Sequence, residues 1–423
     1  MRTLIVSQYF PPEIGAPQAR LSGLAAAWSE AGDEVTVLTG MPNQPSGVLP
    51  PQYRRTLRRR ERRDGYAVLR TWLYATPRAG IVRKTLSHLT FMVSSVLLGW
   101  RASGPADIVM VSSPTLFSIG SAWLLARIKR ARLIVEIRDL RPAIAVEPGE
   151  LSNRRLIRLL ERLELTACAA ADEVVVVSDD VRENLIGRGV PTGKVHTIRG
   201  GVNLDRFDPA VRPDLYLRAG LGARPDECLV VYAGTHGIAQ GLPEAAQAAS
   251  RLIGRPVHLA FVGDGSDKPR LRHQVTELAL SNVTLANSVP PALMPSLLAT
   301  ADILLVTLRD NPRSATVIPS KMFEYLAAGR PVIGAVAGEA AQLLKEAGAL
   351  VVPPGDTAAL AAAIRELAAD FGRRAAMAAE GRAYVERFFD HAEMARQYRK
   401  ILAEKIPAEP PRAAMAEATG AHR

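Results

Sequence analysis

The segment Ile318-Pro319-Ser320-Lys321-Met322-Phe323-Glu324, running on to Gly329-Arg330-Pro331, places a cation and a carboxylate at the start of a short helix. Pro319 and Ser320 mark its beginning, Gly329 and Pro331 its end. Lys321 falls in the first turn, where the helix macrodipole disfavours positive charge. A cation kept there points to an anionic ligand held jointly by the ammonium and the helix terminus. Glu324 stands one turn on, on the same face, where its carboxylate could accept both hydroxyls of a ribose. The plain alternative is an exposed ion pair between the two.

Three further loops carry residues of the right kind. Val262-Gly263-Asp264-Gly265 ends an apolar run and opens a helical one, as half of a dinucleotide fingerprint would. Tyr232-Ala233-Gly234-Thr235-His236-Gly237 does the same with small residues and free backbone N–H groups, so the pair predicts an anion site. Gly15, at the end of Tyr9-Phe10-Pro11-Pro12-Glu13-Ile14, precedes a helix and either lets a ligand approach the backbone or serves a turn needing positive φ. In Glu136-Ile137-Arg138-Asp139-Leu140-Arg141, two acids and two arginines close a predicted strand and are expected to face a cleft. Asp139 there is either a base or acceptor ligand, or half of a structural pair with Arg. The seven histidines show no HExxH spacing and no serine sits in GxSxG, which excludes a zincin or a hydrolase elbow as the reading.

These loops need a scaffold, and the apolar runs supply one. Thr3–Ser7, Glu34–Thr39, Ala67–Thr71, Asp107–Val111, Leu133–Ile137, Glu173–Val177 and Val195–Ile198 read as strands, several of them continuously apolar, as strands covered on both faces are. Helical patterns lie between most of them, including residues 16–31 and 153–169. The pattern restarts beyond the polar, proline-ended segment 203–209, with strands at Leu229–Ala233, Val257–Val262, Val283–Ala286, Ile303–Thr307, Val332–Ala335 and Leu350–Val352. Repeated βαβ units of this kind predict two doubly wound, Rossmann-like α/β domains facing across a cleft, over 1–205 and 206–388. A last helix follows at 389–405, then a disordered Ala/Glu/Pro-rich tail at 406–423.

Length and charge fit that plan. At 423 residues with 48% hydrophobic, the chain can fill two cores and is not a disordered protein. Cys168 and Cys228 stand far apart in apolar stretches, which predicts small core residues in a reducing cytoplasm. The net charge is +11 with pI about 9.9, yet residues 54–106 alone hold twelve bases against Glu61 and Asp64. Arg54, Arg55, Arg58, Arg59, Arg60, Arg62 and Arg63 form a run expected to be a Pro-flanked loop. Arg83 and Lys84 then open an apolar helix across 77–101. Basic residues beside an apolar helix suit an anionic membrane surface, and no stacking aromatics interleave the run as a nucleic-acid partner would require. Thr85–Trp100 is shorter than the roughly 18–20 apolar residues of a spanning helix.

Together these segments resemble glycosyltransferase family 4, the retaining enzymes of GT-B fold, and most of all the branch of O-antigen and capsule assembly that includes N-acetyl-L-fucosamine transferases. The carriers are Gln8 to Glu13 with Gly15, Glu136 to Leu140, Tyr232 to Thr235, Gln240-Gly241-Leu242, Gly263 to Gly265 and Pro319 to Pro331. The resemblance implies an acceptor-binding first domain, a nucleotide-sugar-binding second domain, and a C-terminal helix that crosses back to the first. It implies that Glu324 holds the ribose, with Gly263, Gly265 and Val289 lining the nucleotide site. Gly15, Gly234, Thr235, Ser320 and Lys321 would lie at the phosphates, helped by Arg313, with Asp139, Lys321 and Glu324 as the catalytic set. The implied donor is a UDP-sugar, in this branch an N-acetylated deoxyhexosamine. The implied acceptor is a lipid-linked saccharide at the inner membrane face, and no metal cofactor is required. The chain departs from the family's pattern with Thr316 in place of the first paired Glu, Thr235 and Gln240 in place of an Arg and a Lys, Arg138 before Asp139, and Gly200 before Gly201. A GT-B nucleotide-sugar epimerase and a non-catalytic paralogue are the competing readings.

Overall fold

The computed structural model describes residues 1–403 apart from 14, 45, 78–79, 113–115, 139–152 and 312–314. Asp139, Arg313 and the tail from 404 therefore lie outside the described residues.

The continuous apolar runs become the buried strands of two sheets. The first contains β1 (Arg2–Val6), β2 (Glu34–Gly40), β3 (Arg58–Arg63), β4 (Tyr66–Thr71), β5 (Ile108–Ser112), β6 (Arg132–Ile137), β7 (Glu173–Val176) and β8 (Val195–Thr197). Their order is β3-β4-β2-β1-β5-β6-β7-β8. The second contains β9 (Cys228–Ala233), β10 (Val257–Val262), β11 (Val283–Ala286), β12 (Ile303–Thr307), β13 (Val332–Ala335) and β14 (Leu350–Val352), in the order β11-β10-β9-β12-β13-β14. All neighbours run parallel except β3 against β4. In each sheet the strand order reverses beside the first strand, the place where a doubly wound sheet opens a crevice at its C-terminal edge.

Alternation along each strand feeds two cores. Leu4 and Val6 of β1 turn to one face with Val109, Val135 and Val174, under α2 (Ile81–Gly99) and α3 (Leu116–Lys129). Ile5 turns to the other with Val37, Met110 and Ile134, under α1 (Ala16–Glu30) and the last helix, His391–Ala403. Cys168 and Cys228 are buried and unpaired, and burial pushes both thiols up to about 12.

Only Arg54 and Arg55 of the arginine run lie in a turn; Arg58–Arg63 is β3, the antiparallel edge strand, registered from Arg58 opposite Thr71 to Arg63 opposite Tyr66. Charge argued against a strand, but an edge strand buries little, and arginines there discourage pairing with another chain. Glu136 does not face the cleft either. It is fully buried and accepts from Arg20 Nη2 at 2.7 Å, Arg20 Nε at 3.0 Å, the Tyr398 hydroxyl at 2.5 Å and, through its other oxygen, Ser112 Oγ at 2.5 Å. Burial opposes its charge, but Arg20 and Arg138 nearby hold the carboxyl well below the usual carboxylate range.

That cluster joins distant segments. Arg20 is on α1, Glu136 ends β6, and Tyr398 is on the last helix, which crosses back to pack on α1, with Trp28 edge-on to Tyr398 at 5.8 Å. Arg20 also donates to the carbonyls of Ile198 and Arg199, just after β8, where the chain leaves the first sheet. The outgoing and returning segments pair there, Val202 N to Phe389 O at 2.8 Å and His391 N to Val202 O at 3.1 Å.

Removing one partner strands a buried charge, so Glu136→Ala should cost about 3–5 kcal/mol. Tyr398→Phe, which keeps the ion pair, should cost about 1 kcal/mol. Denaturant unfolding midpoints check both, and an unchanged midpoint for Glu136→Ala would contradict this assignment.

Candidate active site

The helix Lys321–Ala327 starts at the C-terminal edge of the second sheet, where β12 leads into it. Its inner face, Met322, Phe323, Tyr325 and Leu326, is buried in the core. The Tyr325 hydroxyl accepts from Ala233 N and donates to Ala233 O, both at 2.8 Å, which fixes the helix against the end of β9. Phe323 stacks on Phe389 at 4.5 Å, and a Cβ on Gly200 would come within 3.3 Å of its ring. The helix is thus wedged against both segments that cross between the sheets.

This anchoring presents Lys321 and Glu324. Lys321 Nζ sits 3.6 Å from the centre of the Tyr232 ring, a cation–π contact. Among the described residues it has no hydrogen-bond partner, although it is shut off from solvent. Gly234 (φ 137°) makes the room, since a Cβ there would stand 2.7 Å from Nζ. Burial pushes the ammonium down to about 7, with Glu324 pulling the other way. Burial likewise raises the Glu324 carboxyl, against the pull of Arg206 and Lys321. The exposed ion pair that the spacing allowed is not what forms.

Lys268, which the sequence reading passed over, shows the contrast. Its Nζ is buried in the same domain but donates to Gly263 O at 2.8 Å, Asn287 Oδ1 at 3.0 Å and Ala286 O at 3.1 Å. That ammonium is a satisfied strut; the one on Lys321 is not.

The two glycine loops meet each other. A Cβ on Gly263 would collide with the Gly234 carbonyl, and one on Gly265 with the His236 backbone. His236 N donates to Asp264 O, and Asp267 N to His236 O. The close approach predicted for a ligand is therefore met first by the protein's own backbone. His236, wholly buried between the loops, is pushed down to about 4 by burial and by the charges of Lys268 and Lys321.

The remaining predicted residues are distributed around this centre. Thr235 is exposed, its carbonyl accepting from the Tyr232 hydroxyl at 2.7 Å. Ser320 is the residue before the helix and makes no side-chain cap. Val289 follows β11 and packs, half-buried, on the core below the site. Gly15 belongs to the first domain, where its φ of 171° is ordinary extended backbone. The turn explanation for it fails; its missing Cβ makes way for the Gln18 side chain. Between the domains a cavity of about 770 Å³ opens beside Gly200, Arg199 and Glu339. Arg199 Nε donates to Glu339 Oε1 across it at 2.7 Å.

A family model described as a glycosyl transferase 4-like domain matches residues 15–201. A second, glycosyl transferases group 1, matches 227–370. The chain is a glycosyltransferase of the family 4 kind. It is 29% identical over 410 residues to WcaI of Escherichia coli (strain K12), which carries the name of a colanic acid biosynthesis glycosyl transferase, covering 94% of this chain and 98% of that one. Among solved structures, sucrose-phosphate synthase of Thermosynechococcus elongatus superposes with a TM-score of 0.73 at 22% identity, covering 96% of this chain and all of that one. HepE of Anabaena, solved with UDP-glucose, gives 0.70 at 18% identity over 96% of this chain and 100% of its own. The fold of this glycosyltransferase is thus GT-B; a GT-B epimerase would share it, and it is the glycosyltransferase family matches that set that reading aside.

A buried ammonium without acceptors destabilises the free protein. Lys321→Met should therefore raise its stability, by about 1–3 kcal/mol. The folded chain binds fewer protons than the unfolded one between pH about 7 and the ordinary lysine range, so wild-type stability should climb with pH across that window. Melting curves across pH should show this climb flattened in the variant; a variant less stable than wild type would contradict the unpaired-charge account.

Proposed function

We propose that this glycosyltransferase moves a sugar, with retention, from a UDP-sugar to a lipid-linked saccharide during assembly of a cell-surface polysaccharide. The single observation that carries the reading is the unpartnered Lys321 ammonium beside Glu324 at the start of one helix. A nucleoside diphosphate offers what each lacks. Its phosphates supply anionic acceptors for Lys321, drawn from the Tyr232 face, and its ribose supplies a diol for Glu324. Negative charge grows on the departing diphosphate as the glycosidic bond breaks, so a fixed cation is worth more in the transition state than in the ground state. The backbone N–H groups of Gly234, His236, Gly237, Gly263 and Gly265, expected to be free, already donate within the protein, so that charge falls chiefly to Lys321, and the reading calls for no resident metal. Gly15 would approach the phosphates from the first domain; roles for Arg313 at the phosphates and Asp139 at the acceptor rest on the family resemblance alone.

The WcaI match across nearly the whole of both chains supports polysaccharide assembly, and UDP-glucose bound to HepE on the same fold supports a UDP donor. The N-acetylated deoxyhexosamine stays with the resemblance to the fucosamine-type branch, and so does the O-antigen or capsule setting. A lipid-linked acceptor places the enzyme at the cytoplasmic face of a membrane.

A thermal-shift screen of nucleotide sugars identifies the donor, because a ligand of the folded state raises the melting temperature by mass action. With that donor, Lys321→Ala should lower kcat about 10²–10³-fold. Glu324→Ala should weaken donor binding about tenfold or more in calorimetry, as loss of hydrogen bonds to a charged group does. Near-normal turnover of the folded Lys321→Ala enzyme would sink the phosphate role.

A further inference from the structure

We infer that α2 and α3 together form a docking face for an anionic lipid bilayer, with the even-numbered arginines of β3 as its headgroup contacts. The inference rests on the proposed lipid-linked acceptor only for its purpose; its observations are independent.

α2 buries one side through Phe91, Ser94 and Ser95, but a second, apolar side is not buried. Val82, Leu86, Leu89, Val93, Leu97 and Trp100 recur at steps of three and four residues, one helical stripe, and all are exposed, Val82 by 81% and Leu97 by 68%. α3 lies beside it in the same direction: His88 stacks on Phe117, Gly120 faces Met92, and Lys129 Nζ donates to the Trp100 carbonyl at 2.7 Å. α3 exposes Trp123, Leu124 and Ile128. Two parallel helices thus offer two rows of exposed apolar side chains, where a folded protein in water normally shows single ones. Neither helix contains an Asp or Glu.

The cations are placed to match. Side chains alternate along β3, and the register divides its arginines. On one face Arg59 pairs with Glu61, which also holds Arg70, and Arg63 pairs with Asp64. Arg58, Arg60 and Arg62 share the other face, without an acidic partner among the described residues, and Arg58 reaches the Leu98 carbonyl at the end of α2. Arg101 lies over the Trp100 ring and Arg127 over Trp123, the amphipathic pairing of a membrane interface. Of the basic residues that the sequence reading assigned to a membrane, Arg59 and Arg63 are thus engaged elsewhere, while the α3 row is new.

A bilayer is the occupant that this pattern fits. No helix among the described residues is long and apolar enough to cross a membrane, so the face would lie in the interface. A second copy meeting it symmetrically would bring arginine rim against arginine rim, which disfavours a dimer.

Vesicle co-sedimentation tests the inference without donor or acceptor. The wild-type chain should bind phosphatidylcholine vesicles containing phosphatidylglycerol, more weakly in high salt, with a blue shift of tryptophan emission. Arg58→Gln/Arg60→Gln/Arg62→Gln should lower the partition coefficient about a hundredfold, and Leu97→Glu at least about tenfold. Both variants should keep the wild-type melting temperature and nucleotide affinity, which shows that they fold. Absence of wild-type binding, equal binding by the variants, or a Leu97-dependent dimer that ignores vesicles would each overturn the inference. Loss of vesicle binding with donor affinity intact would strike this proposal alone, and failure of donor binding with docking intact would strike only the transfer reading.

Discussion

The ion pair of Arg20 with Glu136 is where the two halves of this molecule are set against each other. Its groups are buried, so each is costly alone and tolerable only while the other is in place. Arg20 spends its remaining donors on the Ile198 and Arg199 carbonyls and the Tyr398 hydroxyl, gathering the outgoing chain and the returning helix at one point. The lysine helix touches that point through Phe323, against Gly200 on one crossing and Phe389 on the other. The position of Lys321 relative to the first domain therefore depends on a contact made far from it in sequence.

Within the second domain, two buried lysines receive opposite treatment. Lys268 is capped by three acceptors and ties the glycine loop to β11. Lys321 rests on an aromatic face with none. A fold built for stability alone would pair or replace the second, so an unpaired ammonium there points to an anion that arrives from outside. The apolar stripe of α2 follows the same logic on a larger scale: exposed surface that burdens the free protein serves the partner that covers it.

Most of the architecture was legible because parallel strands covered on both faces must be apolar throughout, and their runs stand out between helical periods. Among the described residues, thirteen of the fourteen strands fall within a residue or two of the runs read from the sequence. The missed one, β3, owes its strand to pairing with β4 and not to any apolar pattern of its own. Glu136 was misplaced because its partner, Arg20, lies 116 residues away, a separation no local pattern reports. Gly15 was legible as a tight place but not as extended backbone. Lys321 stood out for a local reason, a cation at the wrong end of a helix. Its burial over Tyr232 was not legible, because that ring belongs to another strand. The exposed side of α3 left no signal beyond its lack of acids.

The most direct test of the central claim is the proton taken up when the donor binds. Calorimetry near neutral pH, with the nucleotide sugar that raises the melting temperature and in buffers of different ionisation enthalpy, measures it. A diphosphate that restores the Lys321 ammonium from a pKa of about 7 must draw in a substantial fraction of a proton per site, and Lys321→Met must draw in almost none. Binding without proton uptake, or with equal uptake in the variant, would contradict the assignment of Lys321 to the diphosphate.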